Sequence, residues 1–491
     1  MRLLLAAAAV CWATAQLPAA SLAQQITDVL QRSPETQSAS WGIEIEQADS
    51  GKVLYARNAQ RFFVPASNAK LFTMALALLR LGPNYEFHTR VFADGLPDAD
   101  GRIRGALRLV GGGDPNLSGR AIPYRKNAPA GNPLAALEEL ADQVAAHGVK
   151  RVEGGIVGDD SLYVWEPHAP GWSIDDAQYN YGAPVSALTI NDNSLTITAR
   201  PGAGAGDLAT LELSPPVVYY TIDNRLRTVG SGGARKIQME REPGSRQVRL
   251  WGTIPLGGPE EELDLAIEDP AEYAARAFRR ALEQRGVVVE GGISVKHRFP
   301  NEGPAAAGQD GVELADHLSA PLLEDLRVIA KVSQNVHAEL ALRAVGLARQ
   351  GAGSREAGLA EMKIFLNEIG IDADTYDLND GSGLTRLDLV TPDAVMRLLR
   401  FLYRSPEWMD WLSLLPVGGT DGTLSDRFVN TPGGSRIHAK TGSLTHVSAL
   451  SGYAQRRNGK WVAFSILVNN YNGDAAGVRG VMDRICTLIV K

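Results

Sequence analysis

Two kinds of hydrophobic pattern alternate along this chain, and the places where they change set its expected organisation. Residues 41–56 (WGIEIEQADSGKVLYA) switch between apolar and polar around Asp49-Ser50-Gly51, which predicts a β-hairpin. The stretch from Ser67 to Leu81 is almost continuously apolar or helix-favouring, follows Pro65 and stops at Gly82, so it predicts a helix buried nearly all round. Residues 90 to about 317 are rich in Gly and Pro and carry short alternating runs (RIRGALRLVG, SLTITAR, ATLELS, RQVRLWGTI), with only two helical stretches, 133–147 and 270–285. This middle region reads as one or two β-rich inserts. Helical periodicity returns at 320–331, 335–349, 354–369 and 391–404; strand-like runs then flank the Asn458-Gly459 turn before a terminal helix at about 474–489. Hairpin and helix at both ends of the chain are expected to build one antiparallel sheet with helices on it, so that the insert splits a single α/β (α+β) domain.

Composition narrows the class. The 491 residues are 44% hydrophobic, 21% charged and 7% aromatic, as in an ordinary globular protein. Lys plus Arg total 49 against 56 for Asp plus Glu, a net charge of -7, so no general positive field favours nucleic acid as a partner. Met1-Arg2, the apolar run 3–15 and Ser21-Leu22-Ala23 before Gln24 form the pattern of a signal peptide over residues 1–23, cleaved after Ala23. A secreted or periplasmic protein is expected. That apolar run is short of a membrane span, no later segment is a firm membrane anchor, and the apolar residues 478–490 suit a core helix. Cys11 falls in the leader, which leaves Cys486 as the only cysteine and excludes an intrachain disulfide.

The sharpest chemical feature opens the buried helix. Ser67-Asn68-Ala69-Lys70 places a hydroxyl and an amine at i and i+3, on one helix face about 5–6 Å apart. A free serine is a poor nucleophile, and a neutral amine beside it can act as its base. Working near neutral pH requires the amine to fall roughly three units below the ordinary lysine value, and burial next to a second cation pushes that way. Two further triplets follow in order: Ser333-Gln334-Asn335 at a junction between helices, and Lys440-Thr441-Gly442 on a strand before Ser443.

S-x-x-K, S-x-N and K-T-G in this order are the signature of penicillin-recognising serine enzymes. With FVPASNAKLFT (63–73), GGGDPNL (111–117), NDNS (191–194), DGSGLTR (380–386), LPVGGTDGTL (415–424) and HAKTGSLTHVSALSGY (438–453), nearly the whole chain resembles the low-molecular-mass class C penicillin-binding proteins, the D-alanyl-D-alanine carboxypeptidase/endopeptidase family of the penicillin-binding protein 4 type. The resemblance implies a penicillin-recognising domain of residues 24–88 and 318–491, an insert domain of 89–112 and 188–317, and within it a nested domain of 113–187. It implies peptidoglycan stem peptides ending in D-Ala-D-Ala, and their D,D-crosslinks, as substrates, with β-lactams as mimics. Ser67 is the expected nucleophile and Lys70 its base. Ser333 is expected to relay a proton to the leaving amine, and Asn335 to hold Lys70 and the substrate amide. Lys440, with the Thr441 and Ser443 hydroxyls, is expected to attract a carboxylate; Gly442 lies between them, and backbone N–H groups of Ser67 and Ser443 form the oxyanion hole. Asp159, in GDDSLY, and Arg386, in DGSGLTR, match positions associated with the amine and carboxylate of a diaminopimelyl end.

No metal or cofactor is called for: the eight histidines are scattered, and no H-E-x-x-H helix occurs. GAGAGD (202–207) lacks dinucleotide-loop spacing, and Glu166 stands without the asparagine that accompanies the deacylating glutamate of class A β-lactamases. The alternatives are a β-lactamase, opposed by the long insert, and a non-catalytic wall-binding protein of the same fold. An oligomer is compatible with the sequence.

Overall fold

The computed structural model describes residues 21–303 and 311–491. The leader expected at 1–23 falls, up to residue 20, outside the described residues. The chain is next seen as an unforeseen helix, Leu22–Arg32, capped by the Ser21 hydroxyl on the Gln24 N–H.

The central sheet joins the two ends of the chain. Its five antiparallel strands run in the order Ile437–Leu444, Val447–Gln455, Trp461–Asn469, Ser40–Gln47, Val53–Arg57, with Ser40 opposite Asn469 and Gln47 opposite Val462. Both faces are covered, and the alternation of side chains sorts them. On one face Trp41, Ile43, Phe464 and Ile466 pack with Ile26 of the first helix and Ile485 of the terminal helix, Ala475–Ile489. On the other, Tyr453, Ala463 and Leu467 meet the buried helix and its neighbours. Each large apolar side chain removed from water here contributes about 1.5–3 kcal/mol.

The buried helix begins differently from its sequence pattern. Ala66–Ala69 form a 3-10 turn, and the α-helix proper is Lys70–Leu81, with every residue from Lys70 to Leu78 buried. Gly82, at φ +86°, ends it with its N–H on the Leu78 carbonyl. Helices Leu322–Lys331, Asn335–Gln350, Arg355–Glu368 and Pro392–Tyr403 stand within two residues of their expected spans. A short helix, Trp408–Leu414, was not legible.

The insert leaves and rejoins the central domain through two adjacent strands. The Phe87 N–H donates to Ser319 Oγ, and the Ser319 N–H to the Phe87 carbonyl, both at 2.9 Å. Beyond this crossing a mixed sheet runs in the order Ile293–Arg298, Ile156–Val164, Leu107–Val110, His88–Ala93, Val312–Leu318. Helices Ala135–Ala146 and Pro270–Gln284 share its core. Two three-stranded sheets occupy the chain between 194 and 266.

Residues 165–192 then turn back against the central domain. Trp172 Nε1 donates to Asp380 (2.8 Å), Thr385 Oγ1 to the Pro170 carbonyl (2.7 Å), and His337 Nε2 lies 2.9 Å from Asp192.

Candidate active site

Three chain segments far apart in sequence converge where the buried helix begins. Ala66, at φ +48°, and Ser333, at φ +63°, both hold left-handed backbone conformations that non-glycine residues seldom adopt. Such strained positions persist only where the surroundings over-determine them, and they gather at functional sites. Here they turn Ser67 and Ser333 towards one cavity of about 340 Å³, which Thr441, Ser443, Arg427 and Arg479 also line.

The strand Ile437–Leu444 is drawn close to the nucleophile turn. Asn68 Nδ2 donates to the Lys440 carbonyl at 3.0 Å. Glycine at 442 permits the approach: a Cβ there would stand 2.7 Å from the Pro65 carbonyl oxygen and 3.1 Å from the Ser67 nitrogen. Ser67 is half-buried and Ser443 exposed, so both can be reached from the cavity.

Lys70 is fully buried, and its Nζ has three partners. Ser67 Oγ lies at 2.9 Å, Asn335 Oδ1 at 2.6 Å and the Ser382 carbonyl oxygen at 2.6 Å. A neutral amine has two hydrogens and one lone pair. Asn335 Oδ1 and the Ser382 carbonyl oxygen can only accept, so they take the hydrogens, and the lone pair is left for the Ser67 hydroxyl. Burial pushes the Lys70 pKa down from 10.5 to about 7, against the opposing pull of Asp380, Glu339 and Asp388. Burial thus outweighs three carboxylates, and a substantial fraction of the amine is neutral at neutral pH.

The loop that supplies the Ser382 carbonyl is organised by Asp380. Its buried carboxylate accepts from the backbone N–H groups of Ser382, Gly383 and Thr385 and from Trp172 Nε1. Gly383, at φ +74°, allows this loop to press on the nucleophile turn, since a Cβ there would strike the Ala66 carbonyl oxygen. Glu339 Oε1 accepts from the Gly381 N–H, and its other oxygen accepts from Arg343.

Asn335 donates through Nδ2 to the Tyr181 carbonyl at 2.7 Å, so the insert helps to orient it. Lys440 Nζ bonds Ser333 Oγ and the carbonyl of Thr441, both at 2.8 Å. It is fully buried, and burial followed by the like charge of Lys70 holds its pKa well below the ordinary lysine value. Lys440 therefore faces Ser333 rather than an open carboxylate position. Thr441 Oγ1 donates to Thr423 Oγ1 at 2.8 Å.

The two residues matched to a diaminopimelyl end stand apart from this group. Asp159 is buried on the strand Ile156–Val164, where its carboxylate accepts from the Ser161 N–H and hydroxyl and from Lys296. None of these bonds reaches the cavity. Arg386 is exposed and donates to the Thr445 carbonyl, in the turn just beyond Ser443. Glu166 is engaged by Arg355. Sequence reasoning passed over Asn68, Tyr181, Asp380, Ser382, Thr423 and Arg479; for Asp380 and Ser382 a signal existed in the DGSGLTR stretch. Among the described residues no group of three or more His, Cys, Asp or Glu side chains could hold a metal ion, and no helix is long and apolar enough to cross a membrane.

This arrangement can perform acyl transfer: a serine beside a partly neutral amine, a second serine–lysine pair across the cavity, and a glycine-bearing strand against the nucleophile turn. Comparison with known proteins agrees. The family model of the D-Ala-D-Ala carboxypeptidase 3 (S13) family matches residues 22–488. A D-alanyl-D-alanine carboxypeptidase of Actinomadura sp. (strain R39) is 35% identical over 458 residues, covering 91% of this chain and 81% of that protein. The D-alanyl-D-alanine carboxypeptidase DacB of Haemophilus influenzae is 26% identical over 451 residues, 91% and 88% of the two chains. The crystal structure of penicillin binding protein 4 (dacB) from Haemophilus influenzae superimposes with a TM-score of 0.79 at 25% identity, covering 94% of this chain and 98% of that one. That of the same H. influenzae protein complexed with a β-lactam gives 0.75 at 24% identity, covering 95% and 99%.

Proposed function

The chain belongs to the D-Ala-D-Ala carboxypeptidase 3 (S13) family, and from that premise we propose that Ser67 is the nucleophile by which it cleaves the bond after D-alanine in peptidoglycan stem peptides. The protein is a serine-type D-Ala-D-Ala carboxypeptidase. The observation that carries the assignment of Ser67 is its hydroxyl 2.9 Å from a buried lysine amine whose two hydrogens are already committed.

The steps follow from that geometry. Ser67 Oγ attacks the penultimate D-alanine carbonyl while Lys70 Nζ takes the hydroxyl proton. Negative charge on the carbonyl oxygen is met by the backbone N–H groups of Ser67 and Ser443, a type of contact whose removal costs about 3–4 kcal/mol. The C–N bond breaks as Ser333 passes its hydroxyl proton to the leaving amine, and the proton that Lys70 took is returned to Ser333 by way of Lys440, which leaves Lys70 neutral. Water, deprotonated by Lys70, then hydrolyses the acyl-enzyme and restores Ser67. Penicillin enters the same path through its strained amide and leaves slowly, and D,D-crosslinks are cleaved as endopeptidase substrates.

Action on peptidoglycan requires the protein to lie outside the cytoplasm, which the leader pattern at 1–23 supports. The central domain comprises residues 24–88 and 318–491. For the insert we propose a division along its sheets: an α/β unit of 89–110, 135–164, 270–298 and 312–317, with a β-rich unit of 194–266 nested in it, in place of a nested unit at 113–187. Arg386, beside the Ser443 turn, remains a candidate for a substrate carboxylate; Asp159, the candidate for an amine, is held by Ser161 and Lys296.

The test is the intact mass of the protein followed over time after brief exposure to benzylpenicillin, beside Ser67→Ala. A long-lived adduct confined to the wild type is expected. Rapid loss of the adduct with drug turnover would point to a β-lactamase, and no adduct at all would remove Ser67 as nucleophile.

A further inference from the structure

A peptide cleaved after D-alanine carries a carboxylate next to the scissile bond, on the residue that departs. Something in the cavity must meet that charge, and the cations there can be examined in turn. Lys70 is bonded to Ser67, Asn335 and Ser382, and Lys440 is buried against Ser333 and the Thr441 carbonyl. Arg427 lines the cavity but is forked onto Asp483 through Nε and Nη2.

Arg479 differs from all three. It lies on the terminal helix Ala475–Ile489, four residues before Asp483, at the spacing where an i,i+4 ion pair would ordinarily form. Arg427 takes Asp483 instead. Arg479 is left half-buried, lining the same cavity as Ser67, Thr441 and Ser443, with no hydrogen-bond or ion-pair partner among the described residues. A guanidinium is always charged near neutral pH, and its planar fork matches a carboxylate through two parallel N–H bonds. The exposed Ser443 hydroxyl lines the same cavity and can add a further bond to the carboxylate.

We propose that Arg479 is the specificity-determining residue that binds the α-carboxylate of the departing D-residue. The proposal rests on the D,D-peptidase reading above and adds the residue that meets the leaving residue's carboxylate. A terminal D-alanine has it, and so does the D-centre of a crosslinked diamino acid, so one anchor serves both reactions. A leaving residue whose carboxylate is amidated loses the contact and is discriminated against.

The test compares diacetyl-L-Lys-D-Ala-D-Ala with its C-terminal amide, by kcat/KM for release of the last residue. The wild type is expected to favour the acid by roughly tenfold to a hundredfold, the usual worth of a hydrogen bond to a charged group. In Arg479→Ala the preference falls towards one, Arg479→Lys keeps part of it, and Arg479→Glu turns it towards the amide. Should Arg479→Ala melt early, Arg479→Lys and Arg479→Gln carry the comparison. A full preference for the acid in Arg479→Ala or Arg479→Gln overturns the anchor while leaving the peptidase reading intact. A wild type inert on both substrates overturns that reading, and the anchor falls with it.

Discussion

Raised from pH 6 to pH 8, the rate at which benzylpenicillin acylates Ser67 should climb about tenfold. The perturbation acts on one amine. With its pKa at about 7, Lys70 is neutral in about 9% of molecules at pH 6 and about 91% at pH 8, by simple titration. Only the neutral form has a lone pair for the Ser67 proton, so the acylation rate follows that fraction and levels above pH 8. Single-turnover acylation by quenched flow with intact-mass detection isolates this step from deacylation. The carboxylates that raise the pKa give a second arm. Asp380→Asn removes the largest of them, so the inflection should move below pH 7, even where the altered loop lowers the plateau. A profile flat from pH 6 to pH 10, or an inflection left near 10.5, would refute the assignment of Lys70 as base.

Two further outcomes follow from the same contacts. Gly442→Ala places a Cβ 2.7 Å from the Pro65 carbonyl oxygen and 3.1 Å from the Ser67 nitrogen; acylation should slow by about a hundredfold, the usual effect of a misplacement near 1 Å, and an unchanged rate would contradict the tight approach. Lys70 also links stability to pH. Its folded pKa lies below its unfolded one, so between about pH 7 and 10.5 unfolding takes up a proton, and the wild type should gain stability over Lys70→Met as pH rises, by about 1.4 kcal/mol per pH unit. Urea midpoints at pH 7 and 9.5 measure this, and a difference independent of pH would speak against it.

How much of this was legible in the sequence depended on the range of the interaction. Ser67 and Lys70 are three residues apart on one helical turn, so local geometry brings them together, and the front and back hairpins declared themselves by alternation. The partners that make Lys70 a base arrive from elsewhere: a backbone carbonyl 312 positions away at Ser382 and an asparagine oxygen 265 positions away at Asn335. A carbonyl acceptor has no residue signature, so Ser382 stayed hidden although DGSGLTR was evident. The insert's mixed sheet was missed for a related reason. Ile156–Val164 pairs in parallel with strands at 107–110 and 293–298, and parallel pairing through distant crossovers leaves no turn signal to read. Lys440, expected to attract a carboxylate, lies buried against Ser333, a setting that a one-dimensional pattern does not report.

The central sheet has a consequence for how the molecule is made. Its second strand from the edge, Ser40–Gln47, emerges early in synthesis, yet its partner Trp461–Asn469 is among the last segments to appear; the Val64 N–H and Asn469 Oδ1 that bond beside them are 405 positions apart. The insert closes its own sheet well before that, so it can fold on the nascent chain while the front hairpin waits with one edge unpaired. The catalytic cavity draws on Thr441 to Ser443 and on Arg479, so it can assemble only after these late segments have been made, long after Ser67.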